Sequence, residues 1–248
     1  MERSLRIFLD KLLSRTSLTE MERRAVLSLD GRSERLQAQD SFVRSNDRTK
    51  SACLVTEGVC GRIDRARDDR RQITAVYLPG DMADLKSVFQ PQATSELEAL
   101  TAASIVRFPH SQLHQVMRLH PAVGEAFSRY LMDDAANTQE WLVNVGSREA
   151  KAAVAHFFCE IAVRLGKAEG KSFSFFFPLS QNQLSEICGI STVHVNRTMM
   201  HLRRAQLMQM EHGQVHVADW RGLQALAGFD ASYLFAHAQE RVAPLPLA

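Results

Sequence analysis

The chain has 248 residues, enough for one large domain or two modest ones. Its 45% hydrophobic and 23% charged content is that of an ordinary globular protein. The net charge of +2 excludes a global polycation, so any affinity for nucleic acid has to come from local placement of charge.

Residues 1 to 35 read as helical: Thr19 with Glu22 is a capping-box pair, and Met21, Ala25 and Leu29 keep helical spacing. From Leu36 to Phe108 the texture changes to short runs rich in Val, Ile, Leu and Tyr, broken by polar turns, which predicts strands. Asp68-Asp69 is expected to turn a hairpin. Arg62, Arg65, Arg67, Arg70 and Arg71 surround that turn with Asp64, Asp68 and Asp69 interleaved, which reads as a solvated, self-neutralised strand face; an anionic effector or partner surface is the alternative.

Ser111 to Leu119 reads as a short helix, and Pro121 suits the first turn of the next, which runs to about Val145. Phe127, Leu131, Ala135, Thr138, Leu142 and Val145 step by 4, 4, 3, 4 and 3, the seam of a coiled coil, so a homodimer is expected along this helix. The alternative is a helix lying along its own strands. Arg148 to Leu165 is a further amphipathic helix, with Val154, Phe157, Phe158 and Ile161 inward. Phe173, Phe175, Phe176 and Phe177 read as a strand packing into the core; a base-stacking platform is the alternative.

Pro178 to Val217 then reads as helix, tight turn, helix and hairpin. Ser180 with Gln183 is a capping box, Gly189 permits a sharp turn, and Ser191 is a good N-cap. Val195, Met199 and Leu202 recur at i, i+4 and i+7 and point inward; Thr192, Val193, His194, Asn196, Arg197 and Thr198 lie off that stripe. His212-Gly213 turns the hairpin. The pattern is that of a module that reads double-stranded DNA, with base readout expected from Thr192, Val193, His194, Asn196 and Arg197. Arg197 can donate two hydrogen bonds to guanine, and Asn196 can pair with adenine or hold a phosphate. Phosphate contacts are expected from Arg148, Lys151, Ser180, Gln181, Arg203 and Arg204. Trp220 to Phe229 looks like a closing helix; in the tail after it, Tyr233, Leu234 and Phe235 are expected to dock and the Pro-rich end to fray.

The run PLSQNQLSEICGISTVHVNRTMMHLRRAQLM resembles the winged helix of Crp/Fnr-family transcription regulators. Upstream, Leu54 to Gly58 and Tyr77 to Asp81 resemble the glycine-punctuated turns of the cyclic-nucleotide-binding β-roll, although Gln39-Asp40-Ser41 stands where that fold has a glycine turn. The resemblance implies an α+β chain: a sensor β-roll with flanking helices over 1–119, a dimerisation helix and hinge over 120–146, a winged helix-turn-helix over 147–230 and a tail over 231–248. The stretch Asn144 to Ser147 resembles the family hinge. A homodimer reading a pseudo-palindromic operator follows, with RNA polymerase a further partner where such a regulator activates.

Family members that bind cyclic nucleotides use a Gly-Glu pair and an Arg-Ser/Thr stretch; Met82-Ala83-Asp84-Leu85 and Ala93-Thr94-Ser95 stand at those places, so cyclic AMP is not expected as effector. Residues 1 to 52 contain no cysteine, which argues against an iron-sulfur sensor of the Fnr kind. His110, His114 and His120 read as surface or helix-capping residues, with a haem sensor as the alternative, since nothing in their spacing singles out an axial ligand. No cofactor or metal is predicted, and the effector is left as another small molecule or none. Cys53, Cys60, Cys159 and Cys188 form no CxxC pair and suggest reduced thiols; with no membrane-length apolar run and a charged Met1 to Asp10, a cytoplasmic location is expected. No Ser/His/Asp set, phosphate loop or metal-ligand spacing points to an enzyme; the other reading is a ligand-binding regulatory protein acting through protein contacts alone.

Overall fold

The computed structural model describes residues 2–234. Helices α1 (Glu2–Leu13) and α2 (Glu20–Leu27) lead into strands β1 (Arg32–Leu36), β2 (Ser41–Val43), β3 (Ser51–Glu57), β4 (Cys60–Arg65) and β5 (Arg71–Tyr77). A 3-10 turn (Leu85–Val88), β6 (Glu96–Ala99) and β7 (Ala103–Pro109) complete the roll. Its two antiparallel sheets have the orders β1-β7-β3 and β2-β6-β4-β5. Cys53, Val55, Cys60, Tyr77, Leu97 and Ile105 fill the space between them. Both outer faces are covered too, which is why the strand runs are almost continuously apolar rather than alternating. Ala52, Leu54, Val106 and Phe108 pack under α1 and the first half of the long helix; Ile63, Ile73, Val76 and Leu78 pack against the C-terminal part.

The expected helical stretch over residues 1 to 35 is corrected at its end. The Thr19–Glu22 capping box opens α2 as read, but α2 stops at Leu27 and Arg32–Leu36 is an edge strand paired with β7. Its charged sequence carries no strand signal; pairing with β7 overrides local preference. Gly58 turns β3 into β4 at φ +76°, where a Cβ would lie 2.3 Å from the Ala102 carbonyl oxygen, so only glycine fits. Gln39, at the place of the missing glycine, takes φ +74° itself.

Helix α3 (His110–Leu119) and the long α4 (Pro121–Gly146) cross the roll. The C-terminal part comprises α5 (Ala150–Arg164), β8 (Phe173–Phe176), α6 (Gln181–Cys188), α7 (Thr192–Arg204), β9 (Met208–Glu211), β10 (Gln214–Val217), α8 (Trp220–Ala227) and a final 3-10 turn (Ala231–Tyr233). Its sheet runs β8-β10-β9, and Phe175 and Phe177 enter the core while Phe176 points out, 64% exposed. Phe235 and the rest of the tail lie outside the described residues. Among the described residues no helix is long and apolar enough to cross a membrane.

Candidate DNA-reading site

Two caps and one left-handed residue build the helix-turn-helix. The Ser180 hydroxyl accepts from the Gln183 amide while the Gln183 side chain returns to the Ser180 amide, opening α6. Gly189 ends it at φ +65° and Ser191 caps α7 through the His194 amide at 3.2 Å. Val195 and Leu202 are fully buried and Met199 packs beside them. Val193, His194, Asn196 and Arg197 form an outward face, and Thr192 is half-buried at its edge. Thr198 is not on that face: it is 3% exposed, because position 198 falls a near-complete turn after Val195. Met200, 52% exposed, continues the outward face instead.

Helix α7 contains no acidic residue and ends in Arg203 and Arg204. Lys151 closes a shallow depression lined by Ser191, Val193, His194, Arg197 and Thr198, which puts a second element's cation beside the reading face. Ser180 and Gln181 are exposed at the start of α6. Arg204 is exposed, and Arg203 forms an exposed pair with Glu211 at 3.3 Å, a contact of little energetic weight. Arg148 requires a correction. Its guanidinium donates to Asn144 Oδ1 at 2.8 Å and Glu140 Oε2 at 3.0 Å, so it belongs to the α4–α5 corner rather than to a phosphate-facing surface.

The seam read along α4 is also corrected. Phe127 is fully buried against Phe8 of the same chain, Leu131 packs at the edge of that cluster, and the Thr138 hydroxyl accepts from Arg62. Ala135, Leu142 and Val145 do point outward, and Val145 lies against the α6–α7 turn at Gly189. The outward apolar row is Met132, Ala135 and Leu142, with Gln139 between, stepping by 3, 4 and 3.

Of the five hairpin arginines, Arg65, Arg67 and Arg70 face solvent as expected, but Arg62 and Arg71 do not. Arg62 is 8% exposed and crosses from β4 to α4, donating to Asp134 at 2.8 Å, Thr138 at 2.9 Å and Thr74 at 3.1 Å. Strand parity was the available signal, since Arg62 shares a face with the inward Cys60. Arg71 makes a bidentate pair with Glu98 at 2.8 and 2.9 Å and approaches Glu186 of α6 at 3.5 Å. With Gln72 donating to the Ile187 carbonyl and Gln183 to the Leu100 carbonyl, these contacts dock α6 on the roll.

Residues 152–226 match the Crp-like helix-turn-helix domain, and residues 33–120 match the cyclic nucleotide-binding domain. The chain belongs to the Crp/Fnr family. As a Crp/Fnr chain it is a DNA-binding transcription regulator, not an enzyme. It is 22% identical over 212 residues to the transcriptional activator protein FnrA of Stutzerimonas stutzeri, covering 86% of this chain and 87% of that one. With the nitrogen fixation regulation protein FixK of Bradyrhizobium diazoefficiens it shares 24% identity over 197 residues, 79% and 82% of the two chains. The solved structure of FixK2 from Bradyrhizobium japonicum superposes with a TM-score of 0.74 at 20% identity, covering 82% of this Crp/Fnr chain and all of that one.

Proposed function

We propose that this Crp/Fnr regulator acts as a homodimer on a pseudo-palindromic operator, each α7 entering one major groove. The observation that carries the reading is the outward face of α7: Val193, His194, Asn196, Arg197 and Met200 on a helix without acidic residues, fixed from behind by Val195 and Leu202. Arg197 and Asn196 supply polar readout, while Thr192, Val193 and Met200 supply apolar contact for thymine methyls. Lys151, Ser180, Gln181, Arg203 and Arg204 face the phosphates. The domains divide at the hinge after α4, with sensing before it and reading after it, in a cytoplasmic protein whose further partner at promoters is RNA polymerase.

Selection of random duplexes with purified protein, followed by sequencing, tests this reading; a palindromic consensus is the expected result. On that site Arg197→Ala should cost about 1–3 kcal/mol and relax preference at one position, whereas an equal loss on random DNA would remove Arg197 from readout.

The row Met132, Ala135, Gln139 and Leu142 is the dimer seam in this reading, a coiled-coil stripe on a 26-residue helix. Leu142 and Met132 are 72% and 67% exposed, so glutamate at either leaves the single chain's core intact. The double variant Met132→Glu, Leu142→Glu should sediment as a monomer at concentrations where the parent is a dimer; unchanged mass would place the interface elsewhere.

Its effector is a small molecule other than cyclic AMP, or none, and it works without an iron-sulfur cluster or other cofactor. Arg62 and Tyr77 occupy the roll interior facing α4, which supports the first statement. Cys53, Cys60, Cys159 and Cys188 are buried on four different elements, a scatter that supports the absence of an iron-sulfur cluster.

A further inference from the structure

The α4–α5 corner has a glycine with open space around it, Gly146, yet the reading domain is not held there by chain geometry alone. A fully buried carboxylate, Glu160 of α5, receives donors from three places: Trp141 Nε1 of α4 at 2.8 Å, Arg164 of its own helix at 2.9 Å and the Tyr233 hydroxyl at 3.1 Å. The Tyr233 ring stacks on His156 of α5, centroids 5.8 Å apart, and meets Phe229 edge-on at 6.2 Å. One residue on, the Leu234 carbonyl accepts at 3.1 Å from Arg15, in the turn that follows α1, and Arg15 is paired with Asp133 of α4. The short C-terminal turn therefore touches the reading domain, the long helix and the segment just after the N-terminal helix at once. The two matched domains span residues 33–120 and 152–226, so α1, α4 and this turn all lie outside them.

We propose that Tyr233 and Glu160 are positioning residues for DNA reading, and that the turn Asp230–Leu234 straps the reading domain to α4 so that the two recognition helices of a dimer keep a fixed spacing. The inference rests on the homodimer reading above. A buried carboxylate has to keep its donors, so loss of one hydroxyl leaves Glu160 short of a partner and removes the link between α5 and the strap. The strap leaves α7 free: Val193 is 60% exposed and Arg197 faces solvent in this arrangement. It therefore acts by preorganisation rather than by covering the site. For a two-headed reader, the second half-site is engaged at an effective concentration set by the stiffness of the connection; a loose connection lowers it without touching either half-site contact.

Tyr233→Phe removes the hydroxyl and keeps the ring. Its binding is compared with the parent's on the selected palindrome and on a duplex carrying one half-site, together with amide hydrogen exchange over residues 144–150. The expected result is roughly tenfold weaker binding to the palindrome, unchanged binding to the half-site and faster exchange at the corner. Arg15→Gln, which attacks the other anchor, should share this profile. Equal losses on both duplexes would mean damage to the reading domain and would overturn the proposal, as would parent-like binding on both. Should the parent itself not prefer the palindrome, the homodimer reading fails; the exchange arm still decides the strap, because unchanged exchange at the corner overturns it independently.

Discussion

Asp81→Asn is expected to lower the unfolding free energy by roughly 3–5 kcal/mol at pH 7, the cost of removing one partner from a buried ion pair. Asp81 is 5% exposed and sits where three parts of the chain meet. Its Oδ1 accepts from Lys11 of α1, and its Oδ2 from the Leu78 amide at 2.7 Å and from Arg164 of α5 at 3.0 Å. Burial pushes the carboxyl up, but Lys11 and Arg164 with their hydrogen bonds outweigh it and hold it down to about 2. Asparagine keeps the shape and removes the charge, so Lys11 loses its buried partner and Arg164 is left with Glu160. Because the folded value lies below the ordinary 3.8, the stabilisation is complete above that pH and disappears as pH falls through about 2. Urea unfolding of parent and variant at pH 7, and again between pH 4 and 2, checks both parts. A difference under about 1 kcal/mol at pH 7 would reduce this junction to the level of a surface ion pair.

The parts of the fold legible in the sequence were those with local causes. Two capping boxes, Pro121 at a helix start, the Asp68-Asp69 and His212-Gly213 turns and the Ser191 cap all stand where local chemistry puts them. The outward face of α7 was legible for the same reason, a 3.6-residue period with one apolar stripe. It failed only at Thr198, whose side chain the core takes up, and at Met200, an apolar residue facing water.

What the sequence hid depends on contacts distant in the chain. Helix α4 has two apolar rows, one against α1 and one outward, and spacing alone blends them into the single seam that wrongly joined Phe127 to Leu142. Charge patterning averaged over the β4–β5 hairpin in the same way. It could not separate Arg62, buried against Asp134 some seventy positions away, from Arg67 in solvent. Arg148 looked free because both its partners lie on the preceding helix, and β1 looked helical because the strand it pairs with, β7, is some seventy positions away. Each miss is a case in which a partner supplied by tertiary structure decides what one residue does.

Between pH 6.5 and 4, His156 alone is expected to remove about 3 kcal/mol of stability. The side chain is 1% exposed on α5, and burial first, then the neighbouring Arg148 cation, bring it down from 6.5 to about 4. Arg148 donates to Asn144 Oδ1, which turns the Asn144 amide nitrogen toward His156 Nδ1 at 3.1 Å. The ring proton is thereby placed on Nε2, facing Glu140 at 3.6 Å. Phe229 and Tyr233 enclose the ring, one edge-on and one stacked. The unfolded chain binds a proton below pH 6.5 and the folded chain does so only near 4, so stability falls as pH drops across that window and levels below it. His156→Gln removes the titration, and its urea-unfolding curve should lose most of the parent's slope between pH 6.5 and 4. A variant that keeps the parent's slope would assign the acid sensitivity to other groups. Since His156 lies beneath Tyr233 at the α4–α5 corner, acid should loosen that corner before it unfolds the roll, and palindrome binding should weaken ahead of the global transition.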